Sequence, residues 1–170
     1  MKNLRLRIGL TYGAITSLLS VFIGIALSSF GLSDMSSGGN GWVNALILIL
    51  GIYLGTEAFK KLNDGFVSMG DVVVFSLWLG LVVGLVSGTF SWIYLNYIDP
   101  DMLKKIIRMA EIKMEEQGNS DEQIEMATSM MEKMMTPGFL IAISVFMNLI
   151  FSVILGAIIG VIMKREKPVF

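Results

Sequence analysis

Four stretches of this 170-residue sequence carry no charged residue and are long enough to form membrane-spanning helices. They cover residues 8–33, 41–56, 72–98 and 136–163. Because a helix rises about 1.5 Å per residue, an apolar run of about 20 residues spans a hydrocarbon core of roughly 30 Å. The second run is the shortest, and Phe59 with the long stems of Lys60 and Lys61 completes its crossing. We therefore predict an all-α, polytopic membrane protein in which residues 1–170 form a single domain of four transmembrane helices.

Composition supports the membrane class and excludes several kinds of chemistry. Only 16% of the residues are charged, whereas soluble domains have about 25%. The sequence has no cysteine and no histidine, which excludes disulfides, zinc sites of the usual ligand set and catalysis by Cys/His or Ser/His/Asp groups. We predict that the protein is not an enzyme and has no cofactor and no metal site. Its net charge of −1 gives no indication of nucleic-acid binding.

Positively charged residues predict the orientation of the four runs. Eight Lys or Arg residues flank the ends that share one side of the membrane, namely Lys2, Arg5, Arg7, Lys60, Lys61, Lys164, Arg165 and Lys167. The connection between the third and fourth runs has five, together with nine carboxylates. Because Lys and Arg are enriched on the cytoplasmic side, we predict a multi-pass protein of the bacterial inner membrane with both termini in the cytoplasm. The first run is interpreted as a retained span rather than a cleaved signal peptide.

Small residues recur every four positions within the apolar runs. In lipid such stripes let helix backbones approach closely, and association depends on that close contact. The helix-packing candidates are Gly80, Gly84 and Gly88 in the third run, Gly51 and Gly55 in the second, and Gly156, Gly160 and Asn148 in the fourth. The first run has similar stripes at Gly9, Gly13 and Ser17 and at Ser20, Gly24 and Ser28. We favour packing within the chain, with contact to a second copy or a partner helix as the alternative.

Residues 99–136 are predicted to form an extracytoplasmic helical hairpin. Asp99 is placed to cap the first helix before Pro100, and Ser120 with Gln123 has the spacing of a capping box for the second. Apolar residues recur at helical spacing in both segments. They are Leu103, Ile106, Ile107, Ala110 and Met114 in the first helix, and Ile124, Ala127, Met130, Met131 and Met134 in the second.

The short connection between the second and third runs contains local folding signals. Ser68, with Asp71 three residues later, predicts a capped start for the third helix. Glu57 lies one helical turn before Lys61, and we interpret these two residues as an interfacial ion pair, with a cation site as the alternative. A turn is predicted at Asn63, Asp64 and Gly65.

Eight of the thirteen methionines lie in the predicted hairpin. Thioethers are soft ligands that suit Cu(I), but methionine is also common on apolar surfaces that accept other helices. We favour contact with a partner or with the membrane surface over copper binding. The partner-contact candidates are Met126, Met130, Met131 and Met134.

The layout of the chain and several short motifs resemble a known family. The motif residues are Lys60, Asn63 and Gly65 after the second run, and Tyr97, Pro100 and Asp101 before the acidic insert. Together with four spans, they resemble the bacterial membrane family called domain of unknown function 4199, over nearly the whole chain. The resemblance implies no activity, ligand or catalytic residue, because the family has none established.

The function that these features favour is a non-enzymatic scaffold or accessory subunit. It would contact a membrane-protein partner or a second copy within the lipid bilayer, through small-residue stripes and the Met-rich hairpin. A small transporter or channel is the alternative. Near the midplane the runs offer only Asn148, serines and Tyr53, which counts against an ion-coupled carrier but not against one for a neutral or lipid-like substrate. Extracytoplasmic Cu(I) binding by the methionines is the third hypothesis.

Overall fold

A computed structural model describes residues 2–30 and 41–165 of the chain. In these residues the chain is all-α, and the predicted fold class is confirmed. The helices are α1 (Lys2–Ser29), α2 (Gly41–Leu62), α3 (Met69–Ile93), α4 (Pro100–Glu116), α5 (Asp121–Met134) and α6 (Pro137–Met163). A π-helical turn, Tyr94–Ile98, follows α3 directly. Residues 31–33 of the first run, the connection from there to the second run, and Lys167 lie outside the described residues.

Four of these helices are long and apolar enough to cross a membrane. The candidate spans are Asn3–Leu27, Gly41–Leu62, Met69–Ile98 and Pro137–Met163. The second span continues six residues beyond the uncharged run that ends at Thr56, because no helix-breaking residue occurs before Asn63. By the length and composition of its helices, the chain is a multi-pass membrane protein whose environment is the lipid bilayer.

The chain divides into two compact units. The first comprises Met1–Ser87 with Ser144–Phe170, and the second comprises Gly88–Ile143. The first unit contains most of the residues in the four spans. The second contains the π-helical turn and the two shorter helices between the third and fourth spans, α4 and α5.

Side chains of α2 and α3 form most of the buried core in the first unit. Phe59 and Phe75 are fully buried, and their rings stack with centroids 6.3 Å apart. Ile52, Val72 and Leu79 are also fully buried around them. Within the candidate spans α3 is the most buried helix, because α1, α2 and α6 all contact it.

The connection between α2 and α3 folds as the local signals predict. The carbonyl of Lys60 accepts a hydrogen bond from Gly65 N at 2.8 Å, and Asp64 and Gly65 adopt positive φ angles of 55° and 82°. At the start of α3, Asp71 N donates to Ser68 Oγ at 3.1 Å, and Ser68 N donates to Asp71 Oδ2 at 3.1 Å. The predicted turn and the predicted capped start of α3 are both confirmed.

In the second unit, α4 and α5 pack against each other as a helical hairpin. The chain reverses at Gly118, which has a φ of 77° that favours glycine. The capping box of α5 is confirmed, because Gln123 N donates to Ser120 Oγ at 3.4 Å and Ser120 N donates to Gln123 Oε1 at 3.0 Å.

The start of α4 differs from the prediction in one respect. Asp99 occupies the cap position before Pro100, but its side chain makes no capping hydrogen bond. Instead, its Oδ2 lies 4.0 Å from Lys105 Nζ. The reason is that Asp99 also ends the π-helical turn, where its N–H donates to Tyr94 O at 2.9 Å and its backbone has φ −136° and ψ 78°.

Candidate functional site

A stripe of exposed methionines lies along α5. Met126, Met130 and Met134 follow one another at intervals of four residues, so they share one face of the helix. They are 61%, 57% and 40% exposed, respectively. We call these three residues the methionine stripe.

The predicted apolar face of α5 is divided between two environments. Ile124, Ala127 and Met131 are half-buried, whereas Met130 and Met134 are exposed. The residues at helical spacing on α5 therefore include a half-buried set, on a helix that packs against α4, and an exposed set. Of the four candidate contact residues, Met131 is the one that is half-buried.

Negatively charged residues border the methionine stripe. Glu122 and Glu125 line a shallow depression on α5, together with Met126 and Ser129. Both glutamates are exposed. This face of α5 therefore combines polarisable apolar side chains with negative charge.

In the first unit, α3 and α6 cross through reciprocal contacts between serine and glycine. Gly80 lies against Ser152, and Gly156 lies against Ser76, where a Cβ added to Gly156 would be 2.5 Å from Ser76 Oγ. Ser76 and Ser152 are fully buried, and their hydroxyls have no hydrogen-bond partner among the described residues. The small side chains thus let the two backbones approach closely.

The same helix contact extends beyond this crossing in both directions. A Cβ added to Gly84 would lie 2.5 Å from Val145 Cα, and one added to Gly160 would lie 3.2 Å from Met69 Cα. Residue numbers increase along α3 while they decrease along α6, so the two helices are antiparallel. Four of the predicted packing glycines lie on this contact.

Two helix-packing candidates remain on these helices, Gly88 on the third span and Asn148 on the fourth. The side-chain amide of Asn148 donates to Ser144 O of the same helix at 2.9 Å, and the backbone carbonyl of Asn148 faces Gly80. Gly88, in the second unit, is buried. The Asn148 amide nitrogen therefore has a partner within α6.

The remaining helix-packing candidates, Gly51 and Gly55, lie where α2 contacts α1 and α3. A Cβ added to Gly51 would overlap the Thr16 hydroxyl of α1. One added to Gly55 would lie 3.0 Å from the Phe75 ring and 3.5 Å from Ile8. Because residues with higher numbers on α2 contact residues with lower numbers on α1, these two helices are antiparallel.

Glycines of α1 contact α3. A Cβ added to Gly9 would lie 2.6 Å from Phe75 O, and one added to Gly13 would lie 2.8 Å from Val82 Cβ. The residue numbers of the contacting positions increase together along α1 and α3, so these helices are parallel. In contrast, Gly24, in the later stripe of α1, has no neighbour within 4 Å among the described residues.

An ion pair that sequence reasoning missed joins α1 to the start of α3. Arg5 Nη2 and Nε lie 2.5 Å and 2.6 Å from Asp71 Oδ1, and Ser68 Oγ donates to Asp71 Oδ2 at 2.7 Å. Asp71 is only 5% exposed. The buried carboxylate thus has a charged partner and a helix cap, which satisfy its two oxygens.

A short backbone pairing closes the same end of the first unit. Val67 N donates to Arg165 O at 2.9 Å, and Arg165 N donates to Val67 O at 2.8 Å. Val67 is almost fully buried. The chain after α6 is therefore attached to the connection between α2 and α3.

These helices and motifs allow a comparison with known protein families. A family model described as protein of unknown function (DUF4199) matches residues 7–165. The chain belongs to the DUF4199 family. The resemblance that its motifs predict is confirmed. Searches of curated proteins and of solved structures gave no match. The family description names no activity, so the function of this DUF4199 protein has to be argued from its geometry.

The predicted ion pair on α2 of the DUF4199 protein has a different partner. Lys60 Nζ lies 3.3 Å from Glu57 Oε1, so the interaction is i,i+3, and the predicted pairing with Lys61 is wrong. Lys60 follows the fully buried Phe59 and is half-buried, whereas Lys61 is exposed. Glu57 therefore pairs with the lysine nearer to the packed face of α2.

The residues that sequence reasoning missed gave only a weak signal. Arg5 and Asp71 are 66 residues apart, and each also has a local explanation, as a flanking cation and as a helix cap. The available signal was that both lie at run ends predicted to share one side of the membrane. Among the described residues, no group of three or more Asp or Glu side chains is arranged to hold a metal ion.

Proposed function

We propose that this DUF4199 protein is a non-enzymatic scaffold or accessory subunit of the bacterial inner membrane. In this proposal it binds a membrane-protein partner, or a second copy of itself, through the methionine stripe of α5. The observation that carries the proposal is the exposure of Met126, Met130 and Met134 on a single helical face. That helix is not one of the four candidate spans.

The energetics of apolar burial support a contact role for the stripe. Moving a fully exposed methionine side chain from water into an apolar contact contributes about 1.5–3 kcal/mol, and these three, which are 40–61% exposed, would each contribute part of that. Three such residues in a row are therefore a substantial source of binding energy if a partner covers them. Methionine is also flexible, which suits a surface that adapts to another helix.

The packing of the spans supports a scaffold over a transporter. The small-residue stripes of α2, α3 and α6 are in contact with neighbouring helices, so these stripes serve packing within the chain. The side-chain amide nitrogen of Asn148 donates to its own helix. A carrier would need polar groups directed into a binding cavity near the centre of the spans.

The direction of the helices supports the proposed orientation. The α1–α2 and α3–α6 pairs are antiparallel, and the contacts of Gly9 and Gly13 make α1 and α3 parallel. With the Lys and Arg bias, this arrangement favours cytoplasmic termini and an extracytoplasmic α4–α5 hairpin.

Photo-crosslinking from the edge of the stripe tests the proposal. A photoreactive residue at Ser129 is expected to give a discrete protein adduct in living cells, identified by mass spectrometry. Changing Met126, Met130 and Met134 to Ser should abolish the adduct, whereas changing them to Leu should preserve it, because leucine keeps the apolar surface. An adduct that persists in the serine variant, or crosslinks to lipid alone, would contradict the proposal.

Copper binding is the second candidate, because three thioethers lie at successive turns of one helix face. The same leucine variant separates the two functions. A partner contact survives the change to leucine, whereas Cu(I) binding requires sulfur and is lost. Titration of the full-length protein with Cu(I) measures the second outcome directly.

A further inference from the structure

We propose that one end of the first unit binds the headgroup of an anionic phospholipid. The site is a cationic cluster, defined by Lys61, Lys164 and Arg165. It lies where α2 ends, α6 ends and the connection to α3 returns. The inference is independent of the methionine stripe, which belongs to the second unit.

Backbone hydrogen bonds attach the two chain segments that carry the cationic cluster to one connection. The turn after α2 closes through the hydrogen bond from Gly65 N to Lys60 O. Two residues further on, Val67 pairs with Arg165 through both of its backbone groups. The end of α2, which carries Lys61, and the chain after α6 are therefore attached to the same short segment.

The charges of the cluster are available to a ligand. Lys61, Lys164 and Arg165 are exposed, and none has an ion-pair partner among the described residues. The nearby carboxylates of Glu57 and Asp71 are instead paired with Lys60 and Arg5.

Asp64 is the other carboxylate in the connection between α2 and α3. In the sequence Glu166 and Lys167 follow Arg165 and cancel in charge, so the three cations of the cluster exceed the single negative charge of Asp64. A phosphate group would therefore meet a net positive surface, and basic clusters at the end of a membrane span are typical sites for acidic headgroups.

Exposed apolar residues beside the cluster favour a lipid over free phosphate. Leu62 is 61% exposed and directly follows Lys61, and Ile162 is 76% exposed two residues before Lys164. Met69, at the start of α3, is also exposed. A phospholipid matches this arrangement, because its phosphate can contact the cations while its acyl chains cover the apolar side chains.

Native mass spectrometry of the full-length protein in detergent tests this site. We expect tighter binding of phosphatidylglycerol than of zwitterionic phosphatidylcholine. Changing Lys61, Lys164 and Arg165 to Gln should weaken phosphatidylglycerol binding by at least about tenfold, as expected when three cations that contact an acidic headgroup are removed. The matched control changes Lys104, Lys105 and Arg108 of α4 to Gln, which removes the same charge elsewhere and should have little effect.

Further measurements distinguish a lipid site from a site for free phosphate and from a general effect of net charge. Excess inorganic phosphate should not displace the lipid, and equal competition by phosphate would overturn the assignment to a lipid. Equal loss of binding in the two glutamine variants would also overturn it, because net charge alone would then explain the result. If the cluster variant does not stay monodisperse, changing Lys61 and Lys164 to Arg must preserve selectivity for phosphatidylglycerol, and loss of that selectivity counts against the proposal.

Discussion

Single glycines determine how closely the helices of the first unit approach. Water does not drive apolar side chains together inside a bilayer, so helix association depends on dispersion and close fit. Gly80 and Gly156 provide this fit at the α3–α6 crossing, where each faces a buried serine. Their spacing was readable from the sequence. Their partners were not, because similar stripes occur in every span.

Changing Gly80 to Leu should destabilise the protein strongly. The new side chain would overlap Ser152 and Asn148 O, and overpacking of this kind typically costs about 1–3 kcal/mol or more. The matched control is Gly24→Leu, because Gly24 has no described neighbour within 4 Å. Thermal unfolding in detergent, followed by tryptophan fluorescence, compares the two variants. Equal midpoints would contradict the close α3–α6 contact.

The Arg5–Asp71 pair illustrates a residue-scale feature that sequence alone could not predict. Each side chain has a local role near a helix start, so nothing in the pattern required a contact across 66 positions. The pairing follows from the parallel packing of α1 and α3, which brings their starts together. It is therefore a consequence of the fold.

A double-mutant cycle should reveal coupling between these two residues. Changing Arg5 to Met leaves the Asp71 carboxylate buried without its charged partner, and we expect a loss of about 2–3 kcal/mol, below the usual range for fully buried pairs because Arg5 is partly exposed. The double variant Arg5→Met/Asp71→Asn should lose less than the sum of the single variants. Chemical unfolding in mixed micelles measures the cycle, and strict additivity would show that the pair is not coupled.

At the scale of helices, local signals predicted the starts of α3 and α5. Ser68 and Ser120 cap α3 and α5 as expected, and Thr136 Oγ1 accepts a hydrogen bond from Phe139 N at 3.4 Å at the start of α6. These caps depend on residues three positions apart, so the sequence contains the information. The start of α4 depends on the π-helical turn before it, and no local pattern indicated that Asp99 would end that turn.

Removing the capping box should loosen α5 without disturbing the spans. Changing Ser120 to Ala removes the side-chain acceptor of Gln123 N, and loss of such a cap costs about 1 kcal/mol. Hydrogen exchange at the first turn of α5 should therefore accelerate about fivefold, because local opening becomes easier by that amount. The control is Ser129→Ala, later in the same helix. Equal acceleration in α2 would indicate a global effect instead.

At the scale of the whole molecule, uncharged length predicted the four candidate spans, and capping signals with the helical spacing of apolar residues predicted the two helices between the third and the fourth. The sequence could not show that α3 contacts α1, α2 and α6, because contact partners depend on which small-residue stripes face each other. It also could not show which apolar residues of α5 are half-buried and which are exposed. The methionine stripe is therefore a property of the hairpin as a whole.

In the proposed function, an extracytoplasmic hairpin presents the methionine stripe to a partner. The chain has no cysteine, so single cysteines report directly on accessibility to a membrane-impermeant maleimide. In intact spheroplasts we expect rapid labelling of Ser120→Cys, slow labelling of Met130→Cys, and labelling of Lys164→Cys only after lysis. After purification in detergent, Met130→Cys should react as fast as Ser120→Cys. Labelling of Lys164→Cys but not Ser120→Cys in intact spheroplasts, or equally fast labelling of Ser120→Cys and Met130→Cys there, would contradict the claim.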